Sequence, residues 1–269
     1  MPLGVYSDVR RYNYTHTGAG DTGASTIVKP SPWPLSPYEK VVASTPGLMN
    51  WWPLSSDSLT GLGPKYQNVA GPGWLTPTGT ITAVPGIIPG SKAGALKIAT
   101  ASNLAGTFYQ VWPSSWETNM SVEWWMVLTS LGTDTAFAGD WDNSSNGWMC
   151  YTNGGNLRMY NGTNHIDSGA GIFTTGKLYH VVCVFGGSEA PTADYVSRAY
   201  VNGKQVISGN LVLDSTHDTI TKTGQFKINN YGSGATGTLA GTFQHMQMYN
   251  RMLQPLEVAQ HYQAGFARA

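Results

Sequence analysis

The sequence predicts an all-β chain: a two-sheet antiparallel sandwich with one short C-terminal helix and an extended N-terminal arm. Three observations carry this. From Leu48 onward, strand-length apolar runs alternate with turn residues at intervals of roughly ten residues, the spacing of a sandwich. Glycine (33) and proline (15) are abundant while charged residues make up only 11%, against ~25% in ordinary globular domains. One stretch alone reads as a helix, and it lies at the end of the chain.

Residues 1–46 form the expected arm. Gly18–Ala24 is glycine-rich, and Lys29–Pro37 carries four prolines, which favour an extended, polyproline-like path over helix or central strand. The stretch also holds Tyr6, Tyr12, Tyr14, Trp33 and Tyr38. Disordered tails are poor in aromatic residues, so the arm is expected to lie on its own domain or on a neighbouring subunit.

The domain proper is expected over residues 47–269. Leu48–Leu54 opens it, with Pro53 at a strand end. Trp74–Leu75, Gly79–Val84 and Ala93–Ala99 follow. Met120–Leu128 has the strongest β-propensity. Thr135–Gly139, Gly147–Thr152, Leu157–Asn161 and Leu178–Phe185 continue the series. Arg198–Val201 and Gln205–Ile207 flank Asn202-Gly203, whose residues both tolerate positive φ, as a two-residue hairpin requires. Gln225–Asn229 precedes the closing strand Phe243–Tyr249. There, strict alternation sets residues 243, 245, 247 and 249 against 244, 246 and 248, and neither set is cleanly apolar. Pro255 then suits a first helical position and Glu257 the first turn. Leu256, Ala259, Gln260 and Gln263 share one face, and Gly265 marks a stop.

Composition excludes several functions. Net charge is zero and no Lys/Arg cluster exists, so binding of nucleic acid by a basic face is not expected. The N-terminus has no apolar signal region, and no run of ~18 apolar residues would span a bilayer. Cys150 and Cys183 lie within apolar strands and read as buried free thiols, with a disulfide between neighbouring strands as the lesser alternative, and without the spacing of a metal site. The paired tryptophans, Trp51-Trp52 and Trp124-Trp125, must send one ring of each pair into the core and the other to the opposite face. An outward ring needs cover from the helix, the arm or a partner.

Glycosidases need two carboxyl groups about 5–9 Å apart. No strand carries alternating carboxylates, and Glu123 stands alone between Val122 and Trp124. His180 and His245 fall in strands as packing residues. No enzymatic activity is expected. The richest polar loop is Gly139–Gly147. Asp140, Asp142 and Asn143 offer the hard oxygens that calcium takes, although such side chains also cap their own turns. Trp141 offers a ring for a sugar, with Asp142 and Asn143 beside it. Asn230 and Tyr231 form a second amide-plus-aromatic candidate for glycan binding. No cofactor is required by this reading. The sequons at Asn13, Asn119, Asn143 and Asn161 bear on the protein only if it is secreted.

Six segments in order resemble the concanavalin A-like, laminin-G-like jelly-roll family over about residues 47–265: Leu48–Leu54, Gly90–Leu96, Ser121–Trp125, Gly176–Val182, Ala199–Gly203, and Leu239 through Tyr262. Tyr179 stands where the family pattern has tryptophan. The resemblance implies a jelly roll. It does not imply one activity, because these positions serve packing and turns; members bind glycans or calcium, hydrolyse polysaccharides or occur in phage virions. Two functions are expected. One is a structural virion protein, such as a phage capsid decoration protein, made in the host cytoplasm. It would be anchored to capsid proteins or like subunits by residues 1–46. The alternative is an extracellular lectin or carbohydrate-binding module, with or without calcium.

Overall fold

The computed structural model describes residues 35–55, 66–70, 73–91, 93–107, 119–141, 147–169, 171–187, 196–213, 225–230 and 239–267. All belong to one compact unit, Ser31–Ala269. The expected arm residues Tyr6, Tyr12, Tyr14 and Trp33 lie outside the described residues.

Helix α1 (Pro37–Ser44) comes first. Strands β1 (Leu48–Trp52), β2 (Tyr66–Gln67), β3 (Trp74–Thr78), β4 (Ile81–Val84), β5 (Ala95–Ile98) and β6 (Asn103–Thr107) follow. Next are β7 (Met120–Leu128), β8 (Thr135–Trp141), β9 (Gly147–Asn153), β10 (Asn156–Tyr160) and β11 (His165–Asp167). Then come β12 (Leu178–Gly187), β13 (Val196–Val201), β14 (Lys204–Asn210) and β15 (Val212–Leu213). The chain closes with β16 (Gln225–Ile228), β17 (Gly241–Tyr249) and helix α2 (Pro255–Phe266).

The strands form two sheets. The first runs β14-β13-β12-β7-β17-β5-β4, with β1 also on β17 and β15 on β12; the second runs β11-β10-β9-β8-β16-β6-β3-β2. Every pairing is antiparallel except β12 with β15. The all-β antiparallel sandwich read from the sequence is therefore the fold. Asn202 and Gly203 both take positive φ, 52° and 74°, at the β13–β14 turn, as their hairpin demands. Pro77 is tolerated in β3 because β2 pairs only with Trp74 and Leu75, leaving β3 an edge at Pro77.

The core lies between the sheets. Trp52, Trp124, Phe137, Trp148, Phe185, Phe226 and Phe243 are buried there. Cys150 and Cys183 join them as free, buried thiols. Burial first, and then the neighbouring Cys183, pushes the Cys150 thiol well above its ordinary range.

The first sheet has a second buried face. Trp51 and Trp125 turn away from the core and pack with Tyr38, Val42 and Ile88. The cover demanded by the tryptophan pairs comes from the two helices. Pro37–Ser44, expected as extended arm, is helical instead, so the described residues hold two helices rather than one. The reason is local. Ser36 and Glu39 form a capping box, Ser36 N–H to Glu39 Oε2 at 2.7 Å and Glu39 N–H to Ser36 Oγ at 3.2 Å, and Pro37 occupies the first turn. Tyr38, expected to meet a partner, is wholly buried in its own domain.

Helix α2 begins as expected. Glu257 accepts the Gln254 N–H at 2.8 Å and holds Arg251 by two bonds of 2.6 and 2.8 Å. Its buried face differs from the expected one: Val258, His261 and Gly265 point inward, while Leu256 is 69% exposed. Gly265 lies inside the helix rather than at its stop, because an ideal Cβ there would meet Trp125 Cζ2 at 2.3 Å.

The closing strand also departs from strict alternation. His245 has φ 51°, and the register of β17 on β7 jumps between Gln244↔Trp125 and Met246↔Trp124. This is a β-bulge, which resets the phase of the strand. Phe243, Met246 and Met248 thus all reach the core, and Gln244, Gln247 and Tyr249 share the helix-covered side.

Candidate functional site

Two polar constellations stand out, one buried beneath the helices and one on the outer face of the second sheet. The buried one centres on Glu123. This residue, alone in its sequence neighbourhood, has zero exposure and four hydrogen-bond donors around it. Tyr38 donates to Oε1 at 2.7 Å, and His180 Nε2 donates to Oε1 at 2.8 Å. Tyr249 donates to Oε2 at 3.0 Å, and His261 Nδ1 donates to Oε2 at 2.9 Å. Each oxygen thus has both lone-pair directions filled, and every partner supplies its own proton, so the carboxylate is ionised.

Burial alone would push the Glu123 carboxyl up. The charge on His261 and the hydrogen bonds from His180 and His261 outweigh burial and hold it well below the usual carboxylate range. Burial also drives the His180 imidazole down, and Glu123 offsets this only in part. For His261 the balance reverses: burial lowers it, but Glu123 raises it above its ordinary value. The hydroxyls of Tyr38 and Tyr249 are pushed far up, by burial and then by the Glu123 charge.

By distance, Thr45, His261 and Glu123 form a hydroxyl–imidazole–carboxylate chain, with Thr45 Oγ1 2.9 Å from His261 Nε2. Their proton arrangement is not that of a nucleophile. Thr45 donates its one proton to the Val41 carbonyl at 2.8 Å, so Nε2 is the donor to Thr45. His261 cannot then accept a proton from the hydroxyl, as a general base must. The constellation clamps two helices to a sheet. His180 and His245, read as packing residues, are buried and hydrogen-bonded: His245 Nδ1 accepts from Trp51 Nε1 at 3.0 Å, and its Nε2 lies 3.4 Å from Glu39.

The second constellation lies on the outer face of the second sheet and is partly covered: Tyr151, Met149 and Gly139 are buried, Arg158 and Tyr160 half-buried. Strand alternation puts Leu157 and Met159 in the core and Arg158 and Tyr160 on the outer face. Register sets Arg158 opposite Tyr151, and Asp167 opposite Arg158. The guanidinium lies over the Tyr151 ring, 5.8 Å from its centroid. It also stands 3.6 Å from both Asp134 and Asp167, with Asp134 62% and Asp167 35% exposed. Asn153 donates to Asp134 at 2.7 Å.

A register row crosses the same face: Tyr160, Met149, Gly139, Lys227, Ala105, Thr76. Gly139 has no side chain in this row and is itself buried, with the Trp148 carbonyl oxygen 2.8 Å from where an ideal Cβ would stand. At the sheet edge, Trp74 is 50% exposed. Aromatic rings, a fork of N–H donors and carboxylates are the groups that stack on and hydrogen-bond to a sugar ring.

The residues singled out for glycan or calcium binding are not gathered at one place. Trp141 ends β8 opposite Gly147, and its side chain, with Asp142, Asn143 and Tyr231, lies outside the described residues. Asn230 is buried and follows Asn229, whose N–H bonds the Phe137 carbonyl. That places it at the other end of β8, roughly 15 Å from Trp141 at the rise of a strand. Asp140 is buried opposite Trp148, whose ring is in the core. No group of three or more His, Cys, Asp or Glu side chains suited to a metal occurs among the described residues.

Residues 102–259, more than half of the chain, match the family model described as concanavalin A-like lectin/glucanases superfamily. The chain belongs to this superfamily. No curated protein matches the sequence. Among solved structures, this concanavalin A-like domain is similar to domain 4 of AbnA, an extracellular arabinanase of Geobacillus stearothermophilus solved with arabinotriose. Identity is 18%, the TM-score is 0.57, and 80% of this chain and 98% of that one are covered. It is also similar to the binding domain of Paraclostridial Mosquitocidal Protein 1, at 14% identity and TM-score 0.57, covering 80% of this chain and 52% of that one. A third likeness is to Trypanosoma rangeli sialidase, at 16% identity and TM-score 0.57; 81% of this chain covers 32% of that chain. At these identities the likeness establishes the fold.

Proposed function

We propose that this domain is a non-catalytic carbohydrate-binding module, with the sugar lying on the outer face of the second sheet. The observation that carries the reading is the half-buried Arg158 and Tyr160 side by side on that face, with the carboxylates of Asp134 and Asp167 beside Arg158. Support comes from the arabinanase domain that was solved with arabinotriose and spans the whole length of the likeness. Support against a catalytic part for Glu123 comes from its zero exposure and its four hydrogen-bond donors, which leave neither oxygen free for a substrate. The virion role rested on the arm. Its aromatic anchors lie outside the described residues apart from Tyr38, which is spent inside the domain, and the similar structures lend that role no support.

A glycan array carrying arabino-oligosaccharides, other neutral glycans and sialylated glycans tests the proposal, run with calcium and with chelator. Arg158→Ala and Tyr160→Ala should each weaken binding about tenfold or more. Trp141→Ala and Asp142→Ala ask whether the adjoining loop contributes. Loss confined to the loop variants would move the site to that loop, and loss only with chelator would assign calcium a part. An array silent in both conditions would overturn the reading.

A further inference from the structure

The buried Glu123 constellation joins both helices to one sheet through ionised groups, and its protons can be assigned one by one. Thr45 Oγ1 gives its proton to the Val41 carbonyl, which can only accept. His261 Nε2 therefore carries a proton toward Thr45, and Nδ1 carries another toward the ionised Glu123. His261 is thus an imidazolium. Its charge compensates a carboxylate with zero exposure, and its two N–H groups bind different elements: the C-terminal cap of α1 at Thr45 and β7 at Glu123. His180 gives its Nε2–H to Glu123, and Nδ1 has no partner among the described residues; burial, which drives this imidazole down, favours its neutral form.

We propose that the Glu123–His261 pair is a proton-dependent latch: it holds α1 and α2 on the first sheet while His261 carries both protons, and frees them when one is lost. Neutral His261 can serve Thr45 or Glu123 with a proton, not both, and it leaves a desolvated carboxylate uncompensated. The cost falls on the two helices rather than on the sheets, because β7 and β12 keep their continuous pairing, Leu178↔Val127 through Phe185↔Met120, without it. Release uncovers Trp125 and Trp51, which the helices otherwise bury.

The other groups facing the cluster do not replace the missing charge. Tyr38 from α1 and Tyr249 from β17 are neutral donors. His245 from β17 accepts from Trp51 on Nδ1, and its Nε2 lies 3.4 Å from Glu39 of α1, away from Glu123. Arg251 is bound to Glu257 of α2, and these two cancel. The loss of His261's proton is therefore felt as a net buried negative charge. Because the folded state raises the His261 value above 6.5, the helices are fully held below 6.5 and loosen as pH rises through the folded value.

Hydrogen exchange on the full chain, corrected for the intrinsic pH dependence of exchange, tests the latch between about pH 6 and pH 10. Amides of α1 and α2 should lose at least about tenfold protection over that range while those of β7 and β12 keep theirs. His261→Gln should show low helix protection that no longer responds to pH. Thr45→Val, which removes the acceptor of Nε2–H together with the bond to the Val41 carbonyl and leaves both charges in place, should fold even if His261→Gln does not, and should shift the transition to lower pH. Helix protection that is flat across the range, sheet amides opening with the same midpoint, or an unchanged midpoint in Thr45→Val would each overturn the proposal.

Discussion

Gly265 lies flat against Trp125. An ideal Cβ at Gly265 would come within 2.3 Å of Cζ2 and 2.4 Å of Cη2 of that indole. The ring cannot retreat, because Tyr38 stands edge-on to it at 5.5 Å and His180 packs at 4.6 Å on the sheet side. Gly265→Ala should therefore lift α2 off the sheet despite alanine's better helix propensity. A loss of about 1–3 kcal/mol is expected from overpacking, read as a lower urea midpoint at unchanged slope. Wild-type stability in the alanine variant would mean that the helix can slide.

Glu123 offers a cleaner test of the buried charge. Glu123→Gln keeps the shape but leaves the His261 imidazolium unpaired, which should cost about 3–5 kcal/mol. Combining Glu123→Leu with His261→Leu removes both charges and should recover a large part of that loss. Unfolding of the single and double variants in denaturant gives the coupling directly. Additive losses would argue against a shared interaction.

The capping box at α1 makes a smaller, separate contribution. Ser36→Ala removes the acceptor for the Glu39 N–H and should cost about 1 kcal/mol. It should increase exchange in the first turn of α1 before it affects any strand. Equal exchange in variant and wild type would show that burial of Tyr38 alone holds the turn.

Stability should pass through a maximum near neutral pH, for reasons of opposite sign. Burial would raise Glu39, but the His245 imidazole beside it and the hydrogen bonds from Ser36 bring it from 4.5 down to about 2. Glu123 is held lower than usual as well. Both contribute stability that is present above their unfolded value of 4.5 and lost as pH falls toward their folded values. His180, lowered by burial, adds stability above 6.5 that is lost on acidification. His261, raised by Glu123, adds stability that is complete below 6.5 and lost as pH rises through its folded value. Thermal midpoints measured across pH should fall on both sides, and His261→Gln should remove the alkaline fall alone. An alkaline fall that survives in that variant would assign it to another group.

The legible parts of this fold were those encoded over short distances. The strands Met120–Leu128 and Leu178–Phe185 were clear from β-propensity, and Asn202-Gly203 named its own turn. The tryptophan pairs implied a covered outer face before any cover was in view. A signal for α1 was also present in Ser36-Pro37-Tyr38-Glu39, a capping box with proline at its first turn, but the prolines before it argued for an extended path. The phase break at His245 left a trace too: Phe243, Met246 and Met248 share a face only if one residue is bulged out.

What the sequence determined by itself was the sandwich, its hairpins and its closing helix, because period-two patterning and turn chemistry are local properties. Tertiary structure alone decided the two constellations. Glu123 meets Tyr38, His180, Tyr249 and His261 across 85, 57, 126 and 138 residues, and no periodicity relates positions that far apart. The outer face depends on the register that sets Tyr151 beside Arg158 and Arg158 beside Asp167. Register is a relation between strands, fixed by which side chains the two sheets can bury together, and a single strand read alone does not contain it.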